Sequence, residues 1–187
     1  MDHRDHVALL RGGVSPPAPD KARPPTWADI GAGEGAFTLA LADLLGPGAT
    51  IVAVDRDAGA LRENARRMAE RFPATTMITR VADLTGPLEL PVLDGLVAAN
   101  SLHFVARDRQ VEAIRGLATN LRPGGAFVVV EYDADRGNPW VPNPFSAGSW
   151  DALAIAAGLT DPRPIGRVPS RFLGAIYAAV ARRPDGR

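Results

Sequence analysis

Between Thr26 and Thr38 a short apolar run, Thr26-Trp27-Ala28-Asp29-Ile30, passes one acid and enters three alternating glycines, Gly31, Gly33 and Gly35, before a helical pattern begins. Glycines in such a bend reach positive φ at little steric cost and let the backbone pass close beneath a ligand, where a Cβ would collide. The unit therefore reads as strand, nucleotide-cradling bend, helix. A second apolar run, Thr50 to Val54, ends in Asp55 and Arg56. That acid falls about 20 residues after the glycines, where a doubly wound fold places a carboxylate on a ribose hydroxyl pair.

The rest of the chain repeats the alternation of short β-like runs and longer helical patterns that marks parallel βαβ units. Phe37, Ala40, Leu41, Leu44 and Leu45 form a helix face that stops at Gly46-Pro47-Gly48. Asp57 can cap a helix with Leu61, Ala65, Met68 and Phe72 on one side, ended by Pro73, and Thr76 to Val81 makes a third strand. Leu96 to Ala99 reads as a buried fourth strand. The next helix face carries Val111, Ile114, Leu117 and Leu121, and Ala126 to Tyr132 is a fifth strand, set off by Pro123-Gly124-Gly125.

After a helix around Trp150 to Ala157, the runs Arg163 to Val168 and Phe172 to Ala181 are joined by too few residues for anything but a hairpin. Pro164 cannot donate an N–H, so its strand should be the sheet edge. The fold class that follows is α/β: a Rossmann-like, doubly wound sheet of seven strands, mostly parallel, with an antiparallel C-terminal hairpin. Residues 1–25 read as a small helix and a proline-rich linker preceding one domain over 26–187, with the helix and linker placed to act as a lid.

With 187 residues and 46% apolar composition, the chain can bury one good core but hardly two domains. Basic and acidic residues number 21 each, so no overall field draws it to nucleic acid or an anionic membrane. The absence of cysteine excludes disulfides and thiolate chemistry. No apolar run approaches membrane-span length and the start, Met1 to His6, is polar, so a cytoplasmic protein is expected.

In this order of elements the chain resembles the class I S-adenosylmethionine-dependent methyltransferases. Asp29 to Gly35 resembles that family's first motif. The resemblance implies that Asp29 holds the methionine amino group and that the backbone of Gly31, Ala32, Gly33 and Gly35 passes under the cofactor. It puts Asp55, with Arg56, at the ribose. Val81-Ala82-Asp83-Leu84 is similar to the segment whose acid accepts from the adenine amino group, with Leu84 beside it. Asp94 to His103 resembles the fourth-strand motif near the transferred methyl, which brings Asn100 and Ser101 to the cofactor. Leu121 to Gly125 is similar to the turn before the family's fifth strand.

The implied activity is methyl transfer from S-adenosyl-L-methionine to a small-molecule acceptor. His103 is the best-placed general base, although it also fits a histidine that only shapes the pocket. Glu131, Asp133 and Asp135 alternate as carboxylates around a divalent cation can, but their spacing fails the EF-hand pattern and no metal is expected. Asn100 to Phe104 lacks the proline-proline-aromatic tetrapeptide of nucleic-acid amino methyltransferases. Asn138 to Trp150, with Trp140 and Phe145, suits an apolar acceptor pocket or a homodimer contact.

Two other readings stay open at this stage. One is a protein that binds the cofactor without turnover. The other is an NAD-dependent oxidoreductase, because Gly31 to Ala36 also satisfies the relaxed dinucleotide pattern. A tyrosine followed four residues later by lysine, as short-chain dehydrogenases require, is absent.

Overall fold

The structure is a computed structural model that describes residues 1–14, 23–170 and 172–186. Strands β1 (Thr26–Ile30), β2 (Thr50–Asp55), β3 (Thr76–Val81), β4 (Leu93–Ala99) and β5 (Leu121–Tyr132) run parallel, and β6 (Thr160–Ser170) and β7 (Gly174–Arg182) close the sheet as an antiparallel pair. Their spatial order is β3-β2-β1-β4-β5-β7-β6, so the Pro164 strand lies at the edge, as the missing N–H requires. The chain reverses its direction of travel across the sheet between β1 and β4, and the crevice above such a switch point is where α/β sheets bind ligands.

Helices α1 (His3–Leu10), α2 (Ala36–Leu45), α3 (Ala58–Arg71), α4 (Arg107–Ala118) and α5 (Ala147–Ala156) cover the two faces. Strand alternation divides the core in two. Ala28, Ile30, Phe127 and Val129 face α4 and α5, whereas Trp27, Val128 and Val130 face α1 and α2. Asp57 caps α3 as its position implies, accepting the N–H groups of Gly59 and Ala60. No helix among the described residues is long and apolar enough to cross a membrane.

Several boundaries move. β4 begins at Leu93 rather than Leu96, because Gly95 pairs with Trp27, whose indole covers the place a Cβ would take. The Asp94 carboxylate accepts from the Thr26 N–H and from Arg122 at 2.8 Å, tying together the starts of three strands. Leu121 belongs to β5, not to the α4 face. It pairs with Leu93 and the ladder resumes at Gly95–Ala126, so Pro123-Gly124-Gly125 forms an interruption inside one strand. β6 extends beyond Arg163–Val168 at both ends, with register shifts that accommodate its prolines.

The N-terminal helix forms as the sequence implies, but residues 1–14 serve as a packing layer. Val7, Leu9, Leu10 and Val14 are buried, and α1 touches α2, β6 and β7. Residues 15–22 of the proline-rich linker lie outside the described residues. Because Leu10 has no exposed surface, Leu10→Ala should cost about 2–5 kcal/mol, read as a lower urea midpoint at unchanged slope.

Candidate functional site

The glycine bend is stitched to the end of β2: the N–H groups of Gly31 and Ala32 both donate to the Val54 carbonyl, at 2.8 and 2.9 Å. Gly31 has φ +74°, and a Cβ there would come closer than 3.0 Å to the Ser101 side chain. Glycine is thus required twice over, for backbone conformation and for close approach. The N–H of Gly33 donates to Asp55 Oδ2 at 2.8 Å and that of Asp57 to Oδ1 at 2.9 Å, so the carboxylate is clamped between the two loops.

Above this clamp a cleft of about 530 Å³ opens at the carboxyl ends of β1, β2 and β4. Of the residues singled out from sequence, Gly31, Gly33, Asp55, Arg56, Asp83, Leu84, Asn100 and Ser101 line it. Asp29, Ala32, Gly35 and His103 do not. Phe104 and Arg109 join the lining; sequence reasoning passed over Arg109, which carries no motif and reaches the cleft only through the placement of α4.

Asp83 sits in a tight turn, its Oδ1 accepting from the Thr85 N–H at 2.8 Å and hydroxyl at 2.6 Å. The Thr85 hydroxyl, then its N–H, hold the Asp83 carboxyl below the ordinary carboxylate range. Asn100 adopts φ +50°, an uncommon conformation for a side-chain-bearing residue. Its Oδ1 and the Ser101 Oγ are buried without a hydrogen-bond partner. Unpaired buried acceptors and donors cost about 1–3 kcal/mol each, so these two atoms in the cleft wall fit a polar ligand that would pair them.

Asp29 lies behind the bend, 1% exposed, and accepts from the Thr38 hydroxyl at 2.6 Å; Thr38 accepts in turn from Asn64 Nδ2 at 2.8 Å. Burial pushes the Asp29 carboxyl up to about 7, with the Thr38 hydrogen bond opposing the rise and nearby Asp55 adding to it. It does not cap α2 directly: the cap residue is Gly35, which has no side chain.

His103 follows β4 in a single 3₁₀ turn, Leu102–Phe104, and is buried. Its Nδ1 lies 2.9 Å from Glu131 Oε2. Glu131, the acid inside the apolar run of β5, is fully buried, whereas Asp133 and Asp135 turn elsewhere. Asp133 accepts from the Ala147 N–H and from Arg167, and Asp135 from the Ser146 N–H and the Ser149 hydroxyl, so both hold the start of α5. The three carboxylates do not converge, and no metal-ligating cluster occurs among the described residues. Phe145 and Trp150 enter the core against Phe127, leaving only Trp140 of the three aromatics exposed, at 76%. Of the aromatics in Asn138 to Trp150, Trp140 is the ring that lies on the surface.

A sheet of this order, with a glycine bend and a β2-end acid facing one cleft at its switch point, is the fold of the class I S-adenosylmethionine-dependent methyltransferases. A family model described as a methyltransferase domain matches residues 28–127, and the chain belongs to that family. Among solved structures it is similar to the YcgJ protein of Bacillus subtilis, at 14% identity and TM-score 0.74, covering 98% of this chain and 100% of that one. It is also similar to 1,6-didemethyltoxoflavin-N1-methyltransferase from Burkholderia thailandensis, solved with bound 1,6-didemethyltoxoflavin and S-adenosylhomocysteine (20%, TM-score 0.70, 98% and 78%). A third neighbour is the [4+2]-cyclase SpnF (18%, TM-score 0.73, 98% and 81%). A search of the curated proteins finds no match.

Proposed function

We propose that this chain is an S-adenosyl-L-methionine-dependent methyltransferase with a small-molecule acceptor. The observation that carries the reading is the single cleft lined at once by Gly31 and Gly33, by Asp55 with its clamped carboxylate, and by Asn100 and Ser101, whose buried Oδ1 and Oγ are unpaired. In this assignment Asp55 takes the ribose hydroxyls with Arg56 beside it, Asp83 the adenine amino group, and Leu84 the adenine face. The backbone from Gly31 to Gly35, Ala32 included, runs beneath the cofactor, and Asn100 and Ser101 approach its methionine end. Asp29 is given to the ammonium on the resemblance alone, since it is buried and engaged with Thr38.

When bound, the cofactor supplies a methyl group already activated by its sulfonium. The protein's own contribution is alignment and exclusion of water, which can be worth ~7–11 kcal/mol. Calorimetric titration with S-adenosylmethionine, S-adenosylhomocysteine and NAD tests the assignment. The first two should bind and NAD should not, and Asp55→Ala should lose at least ~1 kcal/mol, since charge-assisted ribose hydrogen bonds disappear. Heat from NAD alone would instead establish the oxidoreductase reading.

The fold by itself entails neither methyl transfer, since one neighbour is named for a cyclization, nor turnover of any kind. Binding of S-adenosylmethionine without release of S-adenosylhomocysteine, across acceptors containing oxygen, nitrogen, sulfur and carbon nucleophiles, would mark a silent binder.

A further inference from the structure

We infer that Glu131 is a positioning residue that presents His103 as the proton acceptor for a substrate bearing an N–H or O–H. The inference rests on the methyltransferase reading and names the acceptor class that this reading leaves open. The ladder between β4 and β5 pairs Ala99 with Val130, so Glu131 stands at the carboxyl edge of the sheet, level with Asn100 in the cleft wall. His103, buried and outside that lining, stands in the chain two places after Ser101 and directly before Phe104, both of which line the wall.

Three groups surround the Glu131 carboxylate. Nδ1 of His103 lies 2.9 and 3.1 Å from its two oxygens, the His103 N–H donates to Oε1 at 3.2 Å, and the Tyr132 N–H donates to Oε2 at 3.3 Å. The pairing we infer has Nδ1 donating to this carboxylate, which leaves the lone pair of the neutral ring on Nε2. Nε2 has no hydrogen bond to any described residue. The ring is wedged by Phe104 and Tyr132, with centroids 4.3 and 6.0 Å away, and the His103 carbonyl is held by the Asn143 N–H at 3.0 Å. The orientation of the ring is therefore fixed. The other titratable groups against the pair are Tyr132, on β5 itself, and Tyr177, opposite Glu131 on β7.

A fully buried acid paired with a histidine is an expensive way to fill space, since apolar side chains of similar volume are often as stable or more so. Its chemical use is to accept a proton at Nε2 and to stabilise the imidazolium beside an anion. The acceptor's N–H or O–H bonding pair stays on its heteroatom, the proton passes to Nε2, and it then leaves the imidazolium for water. Acceptors that surrender no proton gain nothing from the arrangement.

The test is long-range ¹H–¹⁵N NMR of the imidazoles in the full chain, with His103 signals assigned by their loss in His103→Asn. The neutral ring should show Nδ1 protonated, and Glu131→Gln should give mixed tautomers. In turnover assays with small amines and phenols, Glu131→Gln should lower kcat on the order of 10²-fold with KM little changed. A wild-type ring protonated at Nε2 would overturn the inference, and that measurement needs no variant to fold. Cofactor binding with the wrong tautomer sinks only the role of Glu131, whereas absence of cofactor binding sinks the reading beneath it.

Discussion

Between about pH 4 and pH 8 the ligand-free fold should lose about 4 kcal/mol through Asp29 alone, as the carboxyl moves from an ordinary 3.8 to about 7 on burial. In the unfolded chain Asp29 gives up its proton above 3.8, but in the folded protein it keeps the proton until about 7. The unfolded state therefore binds fewer protons across that window, and stability falls as pH rises through it, levelling off above 7. Hydrogen-bonded acids such as Asp83, whose carboxyl is lowered, contribute with the opposite sign. Subtracting the Asp29→Asn profile isolates the term, because the amide oxygen can still accept from Thr38. Urea midpoints across the window should converge at low pH and separate above 7, with the Asn variant the more stable. Under the proposed role, S-adenosylhomocysteine would reverse that ranking, since its ammonium pairs with the ionised acid, and its affinity should fall as pH drops below 7. Parallel wild-type and Asn stability profiles would show instead that the Asp29 carboxyl titrates alike in the folded and unfolded chain.

Gly35→Ala should be strongly destabilising. Gly35 has φ +90°, and a Cβ there would lie closer than 3.0 Å to Asn64 Oδ1. Asn64 has no exposed surface and is tied to Thr38, which is tied to Asp29. Backbone strain of ~1–3 kcal/mol adds to overpacking of ~1–3 kcal/mol. The sum is a large share of a typical ~5–15 kcal/mol stability. Gly158→Ala provides the contrast: φ is +91° just past the end of α5, but nothing lies within 4 Å of the added carbon, so only the strain remains. Thermal unfolding of the two variants should separate the steric share. Asn64→Ala combined with Gly35→Ala should recover part of the loss, and equal damage from Gly35→Ala and Gly158→Ala would refute the clash.

Much of this was readable along the chain where the physics is local. Bounds for β1, β2 and β3 follow from glycine and proline punctuation, and Asp57 announces the start of α3. The clamp between Gly33 and Asp55 is nearly legible too, because βαβ topology alone brings those loops together. Where a contact depends on which strands are neighbours, sequence is mute. Gly95 looks like a break until Trp27 is laid over it from the next strand, and Leu121 continues a helical pattern until its pairing with Leu93 is known. Glu131 offered a signal, an acid within an apolar strand, but its partner His103 is 28 positions away and meets it only because β4 and β5 are adjacent. Asp133 and Asp135 share its alternation and do unrelated work at α5.

The outer strand β6 carries Pro162, Pro164 and Pro169 and shifts register twice along its length. A further strand arriving from another molecule would find missing donors and a broken rise where it needs a regular ladder. Growth of this sheet into fibrils or edge-joined pairs is therefore discouraged on that side, and any self-association has to use side-chain surfaces or the β3 margin instead.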